Sequence, residues 1–288
     1  PAILGALRFA QRFILVGDEK QLPPLVLNKE ANEQGLGESL FSQLKQLDEE
    51  ATQAGEQAVS ACVPLRVQYR MHETISNFAS RQFYRDQLHP HVSVARRRLN
   101  LLTPLSDSQA ERGAILQALS VERPMVFLNV RGERSAMPEA EVKLSNAEAR
   151  VVRETIAGLL ARGVHEDEIG VIAPYRAQVA NLRRHLFSDD LDAGWTALPS
   201  DTPLSIDTVD RFQGGERSII IISFATSTTP PIESQLREHL TNPNRLNVAL
   251  TRAQRKLILV GNAAALDGLP IFHQLLEYCR ELRALFSL

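Results

Sequence analysis

The run Ser218-Ile219-Ile220-Ile221-Ile222-Ser223-Phe224 constrains the fold more than any other stretch of the chain. A strand with one face in water alternates apolar and polar residues, whereas a strand covered on both faces is apolar throughout. Four consecutive isoleucines therefore predict a strand inside a parallel sheet, with helices packed on each side. Shorter runs rich in β-branched residues predict further strands at residues 13–16, 64–67, 125–129, 169–173, 204–208 and 256–260. Helical patterns lie between them. The clearest opens with Ser145-Asn146-Ala147-Glu148, the spacing of a capping box. It places Val151, Val152, Thr155, Ile156, Leu159 and Leu160 on one face before Gly163 stops it. Strands alternating with helices predict an α/β fold built on a mainly parallel, doubly wound sheet.

With 288 residues, 44% apolar and 23% charged, the chain has the profile of a soluble globular protein of one large or two ordinary domains. A formal charge of −2, from 32 basic and 34 acidic residues, excludes a global basic field but leaves room for a local groove. Cys62 and Cys279 form no spacing pattern, which argues against a disulfide framework or a zinc site and for a reducing intracellular compartment. His89-Pro90-His91 has no neighbouring Cys or acidic partner, so no metal site is assigned there. No apolar run approaches the roughly 20 residues of a membrane-spanning helix, so no membrane partner is expected. The start, Pro1-Ala2-Ile3-Leu4, lacks an initiator Met and a charged flank, which predicts a chain cut from something longer. Residues 96–123, with Arg96-Arg97-Arg98, and residues 189–203 read as loops or excursions.

Polar chemistry collects in four places. In Gly17-Asp18-Glu19-Lys20-Gln21 a glycine lets the chain turn off a strand, and the uncharged Gln21 can donate to a terminal phosphate or hold a water in line with it. The same stretch reads equally as a polar turn closed by Pro23-Pro24. At the strand-to-helix junction Gln68-Tyr69-Arg70-Met71-His72, Arg70 projects from a sheet edge and Tyr69 offers a flat face for a base; an arginine there also serves in surface ion pairs. Asp207 to Glu216 joins two strands. Gly214-Gly215 allows close backbone approach to a ligand, and Glu216 is placed to accept from a ribose hydroxyl. Arg245 and Arg252 stand seven residues apart on a helical pattern before the last predicted strand, which predicts that both point to one face.

In order and spacing, GDEKQLPP, LRVQYRMH, VDRFQGGE and NRLNVALTRA resemble motifs three to six of superfamily-one helicases of the up-frameshift type. IGVIAPYRAQ is similar to a further nucleic-acid-contacting segment of that group. The resemblance covers nearly the whole chain. Within the group, LPPLVLNKEANEQGLGESLF and the excursion leading to RPMVFLN look most like the helicase half of replication helicase-nucleases.

The resemblance implies a RecA-like fold of the P-loop NTPase type. Residues 1–62 would be the tail of a first motor domain, and residues 63–288 a complete second one. The 288 residues contain no Gly-Lys dipeptide, and hence no phosphate loop. That loop and most magnesium ligands are expected upstream, which would make this part alone inactive. ATP with Mg2+ is the implied cofactor pair, and single-stranded or forked DNA the implied partner, together with the rest of the chain and a nuclease domain. RNA and a non-catalytic binding module are the alternatives. The implied location is the nucleus in a eukaryote and the cytoplasm in a bacterium. By resemblance Gln21 senses the γ-phosphate, Arg70 and Arg252 are arginine fingers, Tyr69 stacks on adenine, and Asp18, Gly215 and Glu216 complete the nucleotide site. Pro174, Tyr175, Arg176 and Thr208 are the implied nucleic-acid contacts; the Arg96–Arg98 run reads as a solvated face or as an extension of that track.

Overall fold

The computed structural model describes residues 2–23, 26, 28–55, 59–102, 113–131, 133–134, 143–188, 196–229 and 240–288. The chain divides into two compact units, Pro1–Leu65 and Arg66–Leu288. The first unit carries α1 (Ala2–Leu7) and α2 (Leu40–Gln53), with a five-residue π-turn at Asn32–Leu36. The strand expected at residues 13–16 is not formed: Ile14 is 92% and Val16 85% exposed. The run has the local pattern of a buried strand, but such a strand needs a ladder partner and cover on both faces. Among its described residues the first unit contains no other strand.

The second unit is organised by six strands: β1 (Met125–Asn129), β2 (Ile169–Ala173), β3 (Ser205–Thr208), β4 (Arg217–Ser223), β5 (Ala253–Gly261) and β6 (Leu285–Ser287). Their order across the sheet is β6-β1-β5-β4-β2-β3, and every pairing is parallel. Helices α4 (Asn146–Leu160) and α5 (Arg176–Phe187) cover one face. There Val152, Ile156, Leu159 and Leu182 meet Val126, Val171, Ile219, Ile221 and Ile258 in one buried cluster. The alternate residues point to the other face, where α3 (Glu73–Phe83), α6 (Pro243–Leu250) and α7 (Pro270–Glu281) pack. Phe127, Phe224 and Phe272 form a chain of rings with centroids 6.4 and 5.1 Å apart, and Phe78 meets Tyr278 at 5.5 Å. Ile219, Ile220, Ile221 and Ile222 are each at most 2% exposed. Burial of such side chains stabilises by about 2 kcal/mol each, and their uninterrupted run follows from having a core on both sides.

Local signals set the helix ends. Ser145 caps α4 by accepting from the Glu148 N–H at 3.1 Å. The turn after it closes at Gly163, whose φ of +81° suits a residue without a Cβ. The reciprocal half of the expected capping box is absent. The Ser145 N–H donates instead to Gln178 Oε1 at 2.8 Å, and the Glu148 carboxylate turns into the protein. The strand expected at residues 64–67 is reduced to Val67–Gln68. It pairs with His89–Pro90 in a separate two-stranded ladder, because Pro64 has no N–H to donate and Leu65 is 80% exposed. Within the expected excursion at 96–123, the described residues include a helix at Ala114–Ala118. The turn that follows is fastened by the buried Lys256, whose Nζ donates to the carbonyls of Ser120 and Arg123 at 3.0 and 2.7 Å. Residues 103–112 and 189–195, parts of the two expected excursions, lie outside the described residues. Among the described residues no helix is long and apolar enough to cross a membrane.

Candidate nucleotide site and candidate nucleic-acid edge

Parallel strands gather their first residues at one edge of the sheet and their last at the other. At the amino edge Arg217 of β4 is in register with Ala253 of β5, and its N–H donates to the Arg252 carbonyl at 3.1 Å. Glu216 and Arg252 each lie one residue before those strands and so become neighbours. The segment around Arg70 joins them through the His72 N–H, which donates to the Gln254 carbonyl at 2.8 Å. Three motifs separated by up to 182 positions thus converge.

Arg70 is aimed by a local device. The Gln68 side chain accepts from the N–H groups of Arg70 and Met71 at 2.8 and 2.7 Å and donates to the Met71 carbonyl at 2.9 Å, folding the turn on itself. His72 then caps α3 by accepting from the Thr74 N–H, and burial pushes its pKa down. The Arg70 guanidinium is paired through Nε with the Glu216 carboxylate, and its Nη1 donates to the Thr251 carbonyl at 3.2 Å. Gln254 donates to the other Glu216 oxygen at 2.8 Å. The Arg70 hydrogen bond is the main reason the Glu216 carboxyl sits below its usual pKa, against the opposing pull of partial burial.

Arg252 departs from expectation. Helix α6 ends at Leu250, so the helical spacing that would place Arg245 and Arg252 on one face does not reach Arg252. Arg245 approaches Asp210 at 3.4 Å, while Arg252 is 2% exposed. The Arg252 guanidinium donates to the Val248 carbonyl at 3.0 Å, to the Gly215 carbonyl at 3.4 Å and to Thr251 Oγ1 at 3.4 Å. The glycine pair divides its work. Gly214 adopts a φ of +86°, and Gly215 supplies the carbonyl that Arg252 holds. Tyr69 is 63% exposed, and one face of its ring stacks on His91 with centroids 4.5 Å apart.

At the carboxyl edge Ala173 of β2 and Thr208 of β3 are in register, which brings Thr208 beside the Pro174-Tyr175-Arg176 segment. Arg176 is exposed, and Pro174 and Thr208 are half-buried. Tyr175 is not presented at this edge: it is 4% exposed, and burial pushes its phenol up to about 12. Its ring is a packing element there, which leaves Pro174, Arg176 and Thr208 as the accessible members of the expected set. The two edges are separated by the length of a strand of four or five residues, roughly 15 Å at about 3.3 Å per residue. Of the Arg96–Arg98 run, Arg98 is paired with Glu122 and Arg97 is half-buried.

A residue that the sequence reading assigned only to capping organises this carboxyl edge. Glu148 is fully buried, and its carboxylate accepts from Ser223 Oγ at 2.7 Å and from the N–H groups of Ala225, Thr226 and Ser227 at 2.7, 2.6 and 2.8 Å. Burial pushes its pKa up while these donors pull it down. Ser227 Oγ continues to the Val130 carbonyl at 3.1 Å, and Thr226 Oγ1 accepts from the Asn262 N–H at 3.0 Å. One carboxylate from the first turn of α4 thereby fastens the exits of β1, β4 and β5.

In the first unit, Asp18 holds Gln21 in place. Asp18 Oδ2 accepts from Gln21 Nε2 at 2.9 Å, Oδ1 from the Lys20 N–H at 2.9 Å, and the Asp18 carbonyl from the Gln21 N–H at 3.1 Å. The glycine before this turn serves packing rather than an unusual dihedral: a Cβ on Gly17 would stand 3.0 Å from ring atoms of Phe41. Pro24, expected to close the turn, lies outside the described residues.

A family model described as an AAA domain, AAA_12, matches residues 36–264. The DNA replication ATP-dependent helicase/nuclease DNA2 of Mus musculus is 35% identical over 294 residues, 96% of this chain and 25% of that protein. The DNA replication ATP-dependent helicase/nuclease JHS1 of Arabidopsis thaliana is 35% identical over 289 residues, 100% of this chain and 20% of that protein. A regulator of nonsense transcripts 1 homolog of Drosophila melanogaster is 34% identical over 288 residues, 99% of this chain and 21% of that protein. The chain thus spans a fifth to a quarter of the length of these relatives.

Proposed function

Since the chain belongs to the AAA domain family AAA_12, we propose that it supplies the second motor domain, and the tail of the first, of an ATP-dependent helicase that moves along single-stranded DNA and opens duplex in replication or repair. The observation that carries this reading is the convergence of Tyr69, Arg70, Gly215, Glu216 and Arg252 at the amino edge, while Pro174, Arg176 and Thr208 meet at the carboxyl edge. Two edges of one rigid sheet give a motor what it needs: a place to sense a phosphate and a place to grip a strand, joined by stiff elements.

Each residue has a task that suits its chemistry. Tyr69 presents a ring to the base, Glu216 accepts from the ribose, and the Gly215 backbone borders the sugar. Arg70 exchanges its Glu216 partner for the γ-phosphate, where a rigid, permanently charged fork matches phosphate oxygens as charge spreads in the transition state. Arg252 acts on the same charge from a shielded position that strengthens its field. Gln21, held by Asp18 in the first unit, senses the γ-phosphate. Magnesium would neutralise charge on the phosphates, and no residue of this chain is proposed as its ligand. At the other edge, contacts of Arg176, Thr208 and Pro174 go mainly to the strand's backbone and are sequence-tolerant. The DNA2 and JHS1 names favour DNA and a nuclease domain in the same protein; the location that goes with this reading is the nucleus in a eukaryote and the cytoplasm in a bacterium. The regulator of nonsense transcripts relative makes RNA the competing substrate.

Three measurements test this. The 288-residue polypeptide alone is expected to hydrolyse no ATP above a buffer control, because it contains no Gly-Lys phosphate loop. Its binding to single strands is expected to be weak and to fall steeply between 50 and 200 mM salt, roughly in proportion to the few phosphates neutralised. Turnover by this polypeptide would contradict the division of labour. Full-length protein whose ATPase rises with single-stranded RNA but not with single-stranded DNA would move the substrate assignment to RNA.

A further inference from the structure

We infer that His91 is a positioning residue for the nucleotide base: it is the backing ring of a two-ring platform whose outer ring is Tyr69. This rests on the reading of Tyr69 as the base-facing residue and extends it to a residue outside the motifs. The ladder Val67↔His89 and Gln68↔Pro90 runs parallel, so the next pair along it is Tyr69 beside His91. The His91 N–H donates to the Gln68 carbonyl at 2.9 Å, which fixes the backbone under the stack. The rings lie 4.5 Å apart at centroids with their planes 30° from parallel. The imidazole is itself held: its Nδ1 accepts from the Ser93 N–H at 3.2 Å and lies 2.9 Å from Ser93 Oγ, capping the short helix Val92–Ala95. That contact puts the ring proton on Nε2 and sets the ring's orientation.

The physical consequence is preorganisation. A tyrosine 63% exposed on an edge samples several χ1 rotamers, and a base stacking on it must first select one. With one face against a capped imidazole, the Tyr69 ring already lies in one orientation with its other face open. Such a platform recognises the π-face of a base rather than its hydrogen-bonding edge. It contributes to the binding of nucleosides and not of bare phosphates.

The test separates ring from cap in the full-length protein. His91→Asn keeps a side chain that caps helices well but removes the ring, and His91→Phe keeps a ring but removes the cap. His91→Asn is expected to raise the Kd for ATP about 3- to 10-fold, the range of an aromatic pair, with the Kd for inorganic tripolyphosphate and the Tm unchanged. His91→Phe is expected to bind ATP within about 2-fold of the parent. ATP affinity unchanged in His91→Asn while Tyr69→Ala weakens it overturns the role of His91 and spares that of Tyr69. Unchanged affinity in Tyr69→Ala removes the base platform altogether, and an equal loss of tripolyphosphate affinity in His91→Asn would show that the variant acts on the phosphate end instead.

Discussion

Replacing Arg70 by Lys in the full-length protein is expected to lower kcat for ATP hydrolysis by about 10³-fold, the range known for arginine fingers, while nucleotide affinity changes little. A lysine keeps the charge but not the fork, so it meets one phosphate oxygen where the guanidinium meets two. Arg252→Lys is expected to lose comparable turnover and, in addition, stability. The Arg252 guanidinium is buried and donates to Val248 O, Gly215 O and Thr251 Oγ1, three bonds that a single Nζ does not reproduce. Leaving those acceptors short costs about 1–3 kcal/mol, which for a unit of this size lowers Tm by several degrees at about 2–4 °C per kcal/mol. Arg70 shares an exposed pair with Glu216, so its replacement costs at most about 1 kcal/mol. Steady-state ATPase, nucleotide binding and melting on both variants therefore give two signatures: lost kcat with an intact Tm for Arg70→Lys, lost kcat with a lowered Tm for Arg252→Lys. Near-normal turnover in both would reduce the amino-edge cluster to a structural ion-pair network.

Glu148→Ala is expected to destabilise the second unit by about 3 kcal/mol or more. Three backbone N–H groups and the Ser223 hydroxyl converge on this carboxylate in a site closed to solvent, and each donor left unsatisfied costs about 1–3 kcal/mol. Some of that loss returns as water enters the space. The corresponding fall in Tm is about 6–12 °C. Glu148→Gln keeps the volume and one acceptor oxygen but turns an amide group toward donors, so its Tm should lie between the parent and Glu148→Ala. Calorimetry on the three proteins checks the order. A Glu148→Ala variant melting within 2 °C of the parent would mean that the loop after β4 finds its hydrogen bonds elsewhere.

The sheet was largely readable in advance because its signal is local and redundant. Met125–Asn129 and Ile169–Ala173 form over the predicted residues, and the isoleucine run forms Arg217–Ser223 one residue early. These runs are apolar because two cores demand it. Strand β5 begins at Ala253, three residues before its predicted start at Lys256, since pairing with Arg217 rather than hydrophobicity recruits its polar start. Leu285–Ser287 was not readable: three residues at a sheet edge carry no periodicity. Residues 13–16 show the reverse failure, in which the pattern is present and the ladder partner is not.

The candidate site divides in the same way. Motif spacing named Arg70, Glu216 and Arg252; sheet register brings Glu216 and Arg252 together, and the His72 to Gln254 backbone bond adds Arg70. Spacing missed the burial of Tyr175 and Arg252, because exposure depends on what packs over a residue rather than on its neighbours in sequence. It also missed His91 and the inward turn of Glu148. Their partners lie 22 and 75 or more residues away, and no local pattern carries such pairings.

The central claim is that one sheet presents a phosphate-sensing edge and a strand-gripping edge. The most direct test is a titration of full-length protein with single-stranded DNA, reading ATPase rate against DNA concentration for the parent, Arg70→Lys and Arg176→Glu. The expected result is a separation of the two parameters: Arg70→Lys lowers the plateau about 10³-fold with the half-saturating DNA concentration unchanged, and Arg176→Glu raises the half-saturating concentration with the plateau unchanged. Both substitutions moving the same parameter would contradict it.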